Sequence, residues 1–165
     1  MVDAKWEARC AALWERLDTM GREEFAAAMR ALAAECDDEA VGWFEVGGAL
    51  DSTGFTEEAV GCYERAVAAG LSGVRRRRVS IQMASSLRET GRPEEALAMI
   101  AEERGRGSDA YDGALAMCEA LTLAKLGRDR EGLSVALEAL APHLPRYQRS
   151  TVNYARGLVG LGPVG

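Results

Sequence analysis

The chain has 165 residues with a formal net charge of −6, 48% apolar and 28% charged residues. That length suits one domain with a continuous core, and the acidic balance excludes a general nucleic-acid binder, which needs a dominant basic surface. Aromatic residues are only 6% of the chain while alanine and leucine abound, which favours helix over strand.

Residues 3–20 read as a first helix, with Trp6, Cys10, Leu13, Trp14 and Leu17 on one apolar stripe and Gly21 as its left-handed stop. A second helix over 22–36 turns Phe25, Met29 and Leu32 inward, with Glu23 and Glu24 in its first turn, where carboxylates suit the helix dipole. Asp37-Asp38-Glu39 breaks the chain and caps a third helix over about 39–52, apolar on more than one side and so expected between neighbours. Gly54 stops it. Thr56 is the expected N-cap of a fourth helix, with Ala59, Tyr63, Ala66 and Val67 inward.

After Gly70-Leu71-Ser72-Gly73, a fifth helix spans about 74–90 and opens on Arg75-Arg76-Arg77-Arg78. Four consecutive side chains at ~100° per residue cannot form one patch, so the run reads as structural, pairing with carboxylates such as Glu64, Glu94 or Glu95. Gly91 ends that helix and Pro93 opens a sixth, 93–104. A seventh follows at about 110–126, stopped by Gly127, and an eighth at about 129–141. A ninth runs from about Pro145 to Leu158, and the glycine-rich end after it is expected to fray. There is no credible strand.

No chemistry-bearing constellation emerges. Cys10, Cys36, Cys62 and Cys118 form no C-x-x-C pair and His143 is the sole histidine, so neither a metal nor a cofactor is expected. The cysteines read as small buried apolar residues in a reducing compartment. His143 has no nucleophile in a strained elbow beside it, and Gly157-x-x-Gly160-x-Gly162 follows a helix rather than a strand. The charged N-terminus and the lack of a long apolar run point to a cytoplasmic protein without a membrane span.

The same stop-and-start punctuation recurs at Gly21, Gly54, Gly91 and Gly127, at steps in the mid-thirties. Paired helices at that period resemble tetratricopeptide repeats of ~34 residues. Small residues mark the helix crossings: Gly47 with Ala59 and Ala66, Ala84 with Ala96, Ala120 with Gly132. The repeats would then be 39–71, 74–104 and 110–141, after an atypical pair over 3–36 and before a capping helix over 145–158. Together these make a single domain over 1–158 with a flexible tail over 159–165. In the second repeat Glu103 stands where a small residue is usual. The segment from about 39 to 156 further resembles a bacterial tetratricopeptide-repeat family through Val74–Arg78 and Leu144-Pro145-Arg146-Tyr147.

The resemblance implies an all-α, right-handed solenoid of about nine helices and a non-catalytic role in binding a protein or peptide. Its concave face, the default binding surface, would present Phe44, Gly48 and Asp51, then Arg78, Ile81, Ser85 and Arg88, then Met117, Leu121, Ala124 and Lys125, with Tyr147 or Val152 from the ninth helix. That mixture suits an acidic, partly apolar peptide. The Lys/Asn ring with which some repeat proteins clamp a terminal carboxylate is absent: Phe44, Gly48, Gln82, Ala114 and Cys118 stand there. The alternative is a homo-oligomeric subunit that buries its groove or first helix pair, motivated by Trp6 and Trp14 as interface aromatics.

Overall fold

Five glycines with positive φ punctuate the chain after a helix: Gly54 (84°), Gly70 (89°), Gly91 (82°), Gly127 (73°) and Gly160 (75°). After each, an amide closes back five residues: Phe55 N–H donates to Leu50 O, Leu71 to Ala66, Arg92 to Leu87, Arg128 to Leu123 and Leu161 to Arg156. This is the bond that lets a helix stop within one turn, and only glycine adopts the required backbone without a Cβ penalty.

The computed structural model describes residues 2–164, all helix, turn and coil with no strand among them. The helices are α1 (Ala4–Trp14), α2 (Arg22–Ala33), α3 (Glu39–Ser52), α4 (Thr56–Ala68), α5 (Gly73–Glu89), α6 (Pro93–Arg104), α7 (Asp112–Lys125), α8 (Asp129–Leu140) and α9 (Gln148–Leu158), with short 3-10 turns at Leu17–Thr19 and Ala141–His143. They pack in adjacent pairs. Met1 of the expected domain and Gly165 of the expected tail lie outside the described residues.

Three local expectations are corrected. Gly21 is not left-handed: with φ −62° it stands before α2 and its carbonyl accepts from Phe25 N–H. The first helix ends at Trp14, and the chain leaves it through the 3-10 turn. Thr56 is the first residue of α4 and Phe55 the N-cap, with no capping side chain. Elsewhere Asp38 caps α3 as expected, accepting from Val41 N–H at 3.2 Å.

By packing, the chain divides into Met1–Ser86 and Leu87–Gly165. In the first unit α3 is the central element. Phe44, Ala49 and Leu50 are sealed within it, as are Ala59, Tyr63 and Ala66 of α4, which packs on α3. A Cβ on Gly47 would lie 2.6 Å from the Tyr63 ring, so the hydrogen of glycine is what lets α3 and α4 close. Trp6 and Trp14 lie inside this unit rather than on its surface. Trp6 is 4% exposed and donates its indole N–H to Leu32 O at 2.8 Å, while Trp14 is half-buried against Phe25, 5.4 Å between ring centroids.

In the second unit Ala96 and Ile100 of α6, Leu115, Cys118 and Leu123 of α7, and Ala155 of α9 form the core. A Cβ on Gly132 of α8 would meet Ala120 O of α7 at 2.7 Å. Ser134 of α8 donates to Ala155 O at 2.8 Å, tying α9 down through a buried hydroxyl. Glu103 is buried, with Arg106 Nε at 3.6 Å from its carboxylate. After α9, Arg156 Nε donates to Gly162 O and Val164 N–H to Asn153 Oδ1. No helix among the described residues is long and apolar enough to cross a membrane.

Candidate functional site

Helix α3 carries no single polar face, so what each side meets decides its role. At 100° per residue, Phe44, Glu45 and Gly48 share one side, and Glu39, Gly42, Trp43 and Val46 the other.

The Phe44 side opens on a cavity of about 300 Å³ walled by Trp14 of α1, Phe44, Glu45 and Gly48 of α3, and Arg78 and Gln82 of α5. Its polar groups are held in sequence. Arg75 Nη2 lies 2.7 Å from Glu7 Oε2 and its Nε 3.4 Å from Glu45 Oε1, while Trp14 Nε1 donates to Glu45 Oε2 at 2.9 Å. Glu45 is 5% exposed, yet both its oxygens are partnered, which a buried carboxylate requires. Burial first, and then the nearby Glu45 charge, pushes the Cys10 thiol up to about 12, so Cys10 is no nucleophile at neutral pH. The Tyr63 hydroxyl is sealed with no hydrogen-bond partner, and its acidity is suppressed, chiefly by that burial.

Arg78 differs from its neighbours in the arginine run. Arg75 is bound by Glu7 and Glu45, carboxylates other than the expected Glu64, Glu94 and Glu95. Arg76 meets Ser80, and Arg77 is buried. The Arg78 guanidinium carbon lies 5.1 Å from the Phe44 ring centroid, and among the described residues no carboxylate lies within ion-pair reach of it. A half-buried guanidinium on an aromatic floor keeps its donors for an incoming group.

Of the sequence-predicted face, then, the cavity brings Phe44, Gly48 and Arg78 together. Phe44 is its floor, 1% exposed. Asp51 lies off the cavity and accepts from Ser86 Oγ at 3.0 Å; Ile81 and Ser85 are half-buried on α5 outside the lining. In the second unit Arg88 donates to Glu89 from Nε and Nη2. Met117 and Leu121 are 52% and 48% exposed, one turn apart on α7, with Ala124 and Lys125 exposed beyond them. Tyr147 is 74% exposed and left-handed (φ 72°) at the start of α9, its carbonyl accepting from Ser150 and Thr151. Val152 is half-buried.

Glu7, Trp14, Glu45 and Arg75 did not figure in the predicted face. The available signal was Glu45, a carboxylate in the middle of an otherwise apolar helix, which must find a cation.

Among the described residues, no group of three or more histidine, cysteine or acidic side chains could hold a metal ion. In comparisons with known proteins, a family profile described as tetratrico peptide repeat matches residues 40–158. No curated protein and no solved structure matches the chain.

Proposed function

Because the chain belongs to the tetratrico peptide repeat family, whose members suggest a protein–protein interaction scaffold, we propose that it is a non-catalytic peptide-binding module. The binding face is the α1/α3/α5 side of the first unit; the exposed Met117–Lys125 stripe of α7 is a separate candidate contact on the second unit.

The observation that carries this reading is Arg78: a guanidinium with no acidic partner, set over Phe44 at the wall of a cavity. Inside a folded chain such a group is either a cost or a contact awaiting a partner. The surrounding charge also argues against nucleic acid, since the net charge is −6 and Arg75 is already engaged by two carboxylates. The oligomeric alternative loses its original support, because Trp6 is buried and Trp14 serves Glu45.

A random peptide display library selected on the intact chain tests the reading. Selected peptides should carry acidic residues, and Arg78→Glu should weaken them roughly tenfold or more while far-ultraviolet helicity is unchanged. Peptides that bind Arg78→Glu and Lys125→Glu as well as the parent would place the binding face elsewhere. Sedimentation over a concentration series addresses the alternative, which a concentration-independent monomer removes.

A further inference from the structure

The other side of α3 forms the floor of a second and larger cavity, about 680 Å³, walled by α2 and α4. Its floor and walls are small or apolar: Ala33, Gly42, Val46 and Gly61, with Trp43 at one flank. The lining spans residues 30–36, from the last turn of α2 into the segment after it, 39–46 of α3 and 58–65 of α4. Eight residues of helix cover about 12 Å, which is short for a strand or helix of a partner but fits one compact molecule. The volume falls within the range of small-molecule sites.

Two features of the chain mark this cavity as more than a packing gap. Gly61 sits in the middle of α4 with no heavy atom within 4 Å of where its Cβ would stand. The helix therefore carries a glycine, at a cost of about 1 kcal/mol relative to alanine, where its own packing makes no use of the space. The cavity is also polarised. Arg65 stacks on Trp43 with its guanidinium carbon 4.6 Å from the ring centroid, and no carboxylate of the described residues pairs with it. Arg30 is paired with Glu58 at 2.8 Å in an exposed, weak ion pair. At the opposite end Glu39 accepts from Trp43 Nε1 at 3.0 Å, in the first turn of α3 where the helix dipole offsets its charge. Both thiols of the cavity are pushed up chiefly by burial; at Cys62 the charges of Arg30 and Arg65 then lower it and that of Glu58 raises it, while at Cys36 a backbone hydrogen bond at Asp38 lowers it and the charges of Asp38, Glu7 and Asp37 raise it.

We propose that this α2/α3/α4 cavity binds a small amphiphilic carboxylic acid, its apolar body against Val46, Gly61 and the Trp43 ring and its carboxylate on Arg65. Nothing in it depends on the peptide face, which uses the opposite side of α3.

The probe is 2-naphthoate, with 2-naphthamide as its uncharged match and decanoate to separate an aromatic body from an aliphatic one. Calorimetry on the intact chain should give a Kd below about 1 mM for naphthoate. Arg65→Met should weaken naphthoate roughly tenfold and leave naphthamide unchanged. Gly61→Leu, which fills the cavity, should abolish both while circular dichroism remains that of the parent. Bound naphthoate should also slow alkylation of Cys62 by iodoacetamide. If Gly61→Leu fails to fold, the Cys62 protection and the Arg65→Met comparison stand in its place. The proposal is overturned by an absence of naphthoate binding in this range, by naphthamide binding as tightly as naphthoate, or by naphthoate binding that leaves Cys62 alkylation unchanged. Decanoate outbinding naphthoate would keep the carboxylate and replace the aromatic body.

Discussion

Gly47, Gly132 and Gly61 look alike in the sequence, all mid-helix, and the structure gives them opposite roles. A Cβ at Gly47 runs into the Tyr63 ring and one at Gly132 into the Ala120 carbonyl, both below 3 Å. Gly47→Ala and Gly132→Ala should therefore each destabilise the chain by about 1–3 kcal/mol, the usual cost of overpacking, read as a lower urea midpoint. Gly61→Ala meets nothing and should raise stability by about 0.5–1 kcal/mol through helix propensity alone. The Tyr63 hydroxyl, buried without a partner, makes a companion case. Tyr63→Phe removes a desolvated group and loses no hydrogen bond, so thermal unfolding should show it neutral or more stable by up to about 1 kcal/mol.

Between elements, stability is distributed over ion pairs of two kinds. Arg75 with Glu7 and Glu45 is largely enclosed, and Arg75→Met leaves the Glu45 carboxylate with only the Trp14 indole. That should cost about 2–3 kcal/mol. The pairs Arg9–Glu35, Arg92–Glu95 and Arg128–Glu131 are exposed; in each, the hydrogen bond from the arginine holds the glutamate below its ordinary 4.5. A carboxylate depressed in the folded state adds stability above its unfolded pKa, and that contribution fades as pH falls from about 4.5 through the depressed value. Replacing Glu35, Glu95 and Glu131 together by Gln should flatten the acid slope of urea stability below about pH 4.5 and change little at pH 7.

The helices themselves were legible in the sequence because their stops are chemical: a glycine needed at positive φ after α3, α5 and α7 leaves a mark no other residue mimics. The bounds of α3 and α6 agree with the periodicity to the residue. The close approach of Gly132 to Ala120 was legible too, because a glycine inside a helix can mark a place where a side chain would not fit, and Gly47 marks the α3/α4 contact in the same way, against Tyr63. Gly21 was misread because a glycine before a helix looks the same as one after it. The partners of the cavity groups were not legible at all. Glu7 and Arg75 are 68 residues apart, and no local spacing announces such a pair.

At the scale of the whole chain, the family match begins at residue 40, yet the first unit takes its seal from before that point. Phe25 and Met29 are fully enclosed, and Trp14 closes one oxygen of Glu45. A fragment beginning at residue 39 should accordingly melt well below the intact chain and bind a hydrophobic dye more strongly, both measurable in one thermal ramp. The four thiols give a further chain-wide reading. Cys10 and Cys118 are buried while Cys36 and Cys62 are half-buried, so limiting iodoacetamide at pH 8 should modify the latter two first, with mass mapping to locate them.

The reach of Arg75 back to Glu7 also sets an order of events during synthesis. The first helix leaves the ribosome long before its charge partner exists. At roughly 5–20 residues per second, the wait for Arg75 lasts several seconds. Through that interval Glu7 lacks the guanidinium it meets in the folded chain, and the opening pair has only its own contacts, Trp6 to Leu32 and Arg9 to Glu35. Helix α1 is thus made well before the residue that locks it, and a translational pause placed soon after the codons of α5 would give it time to settle.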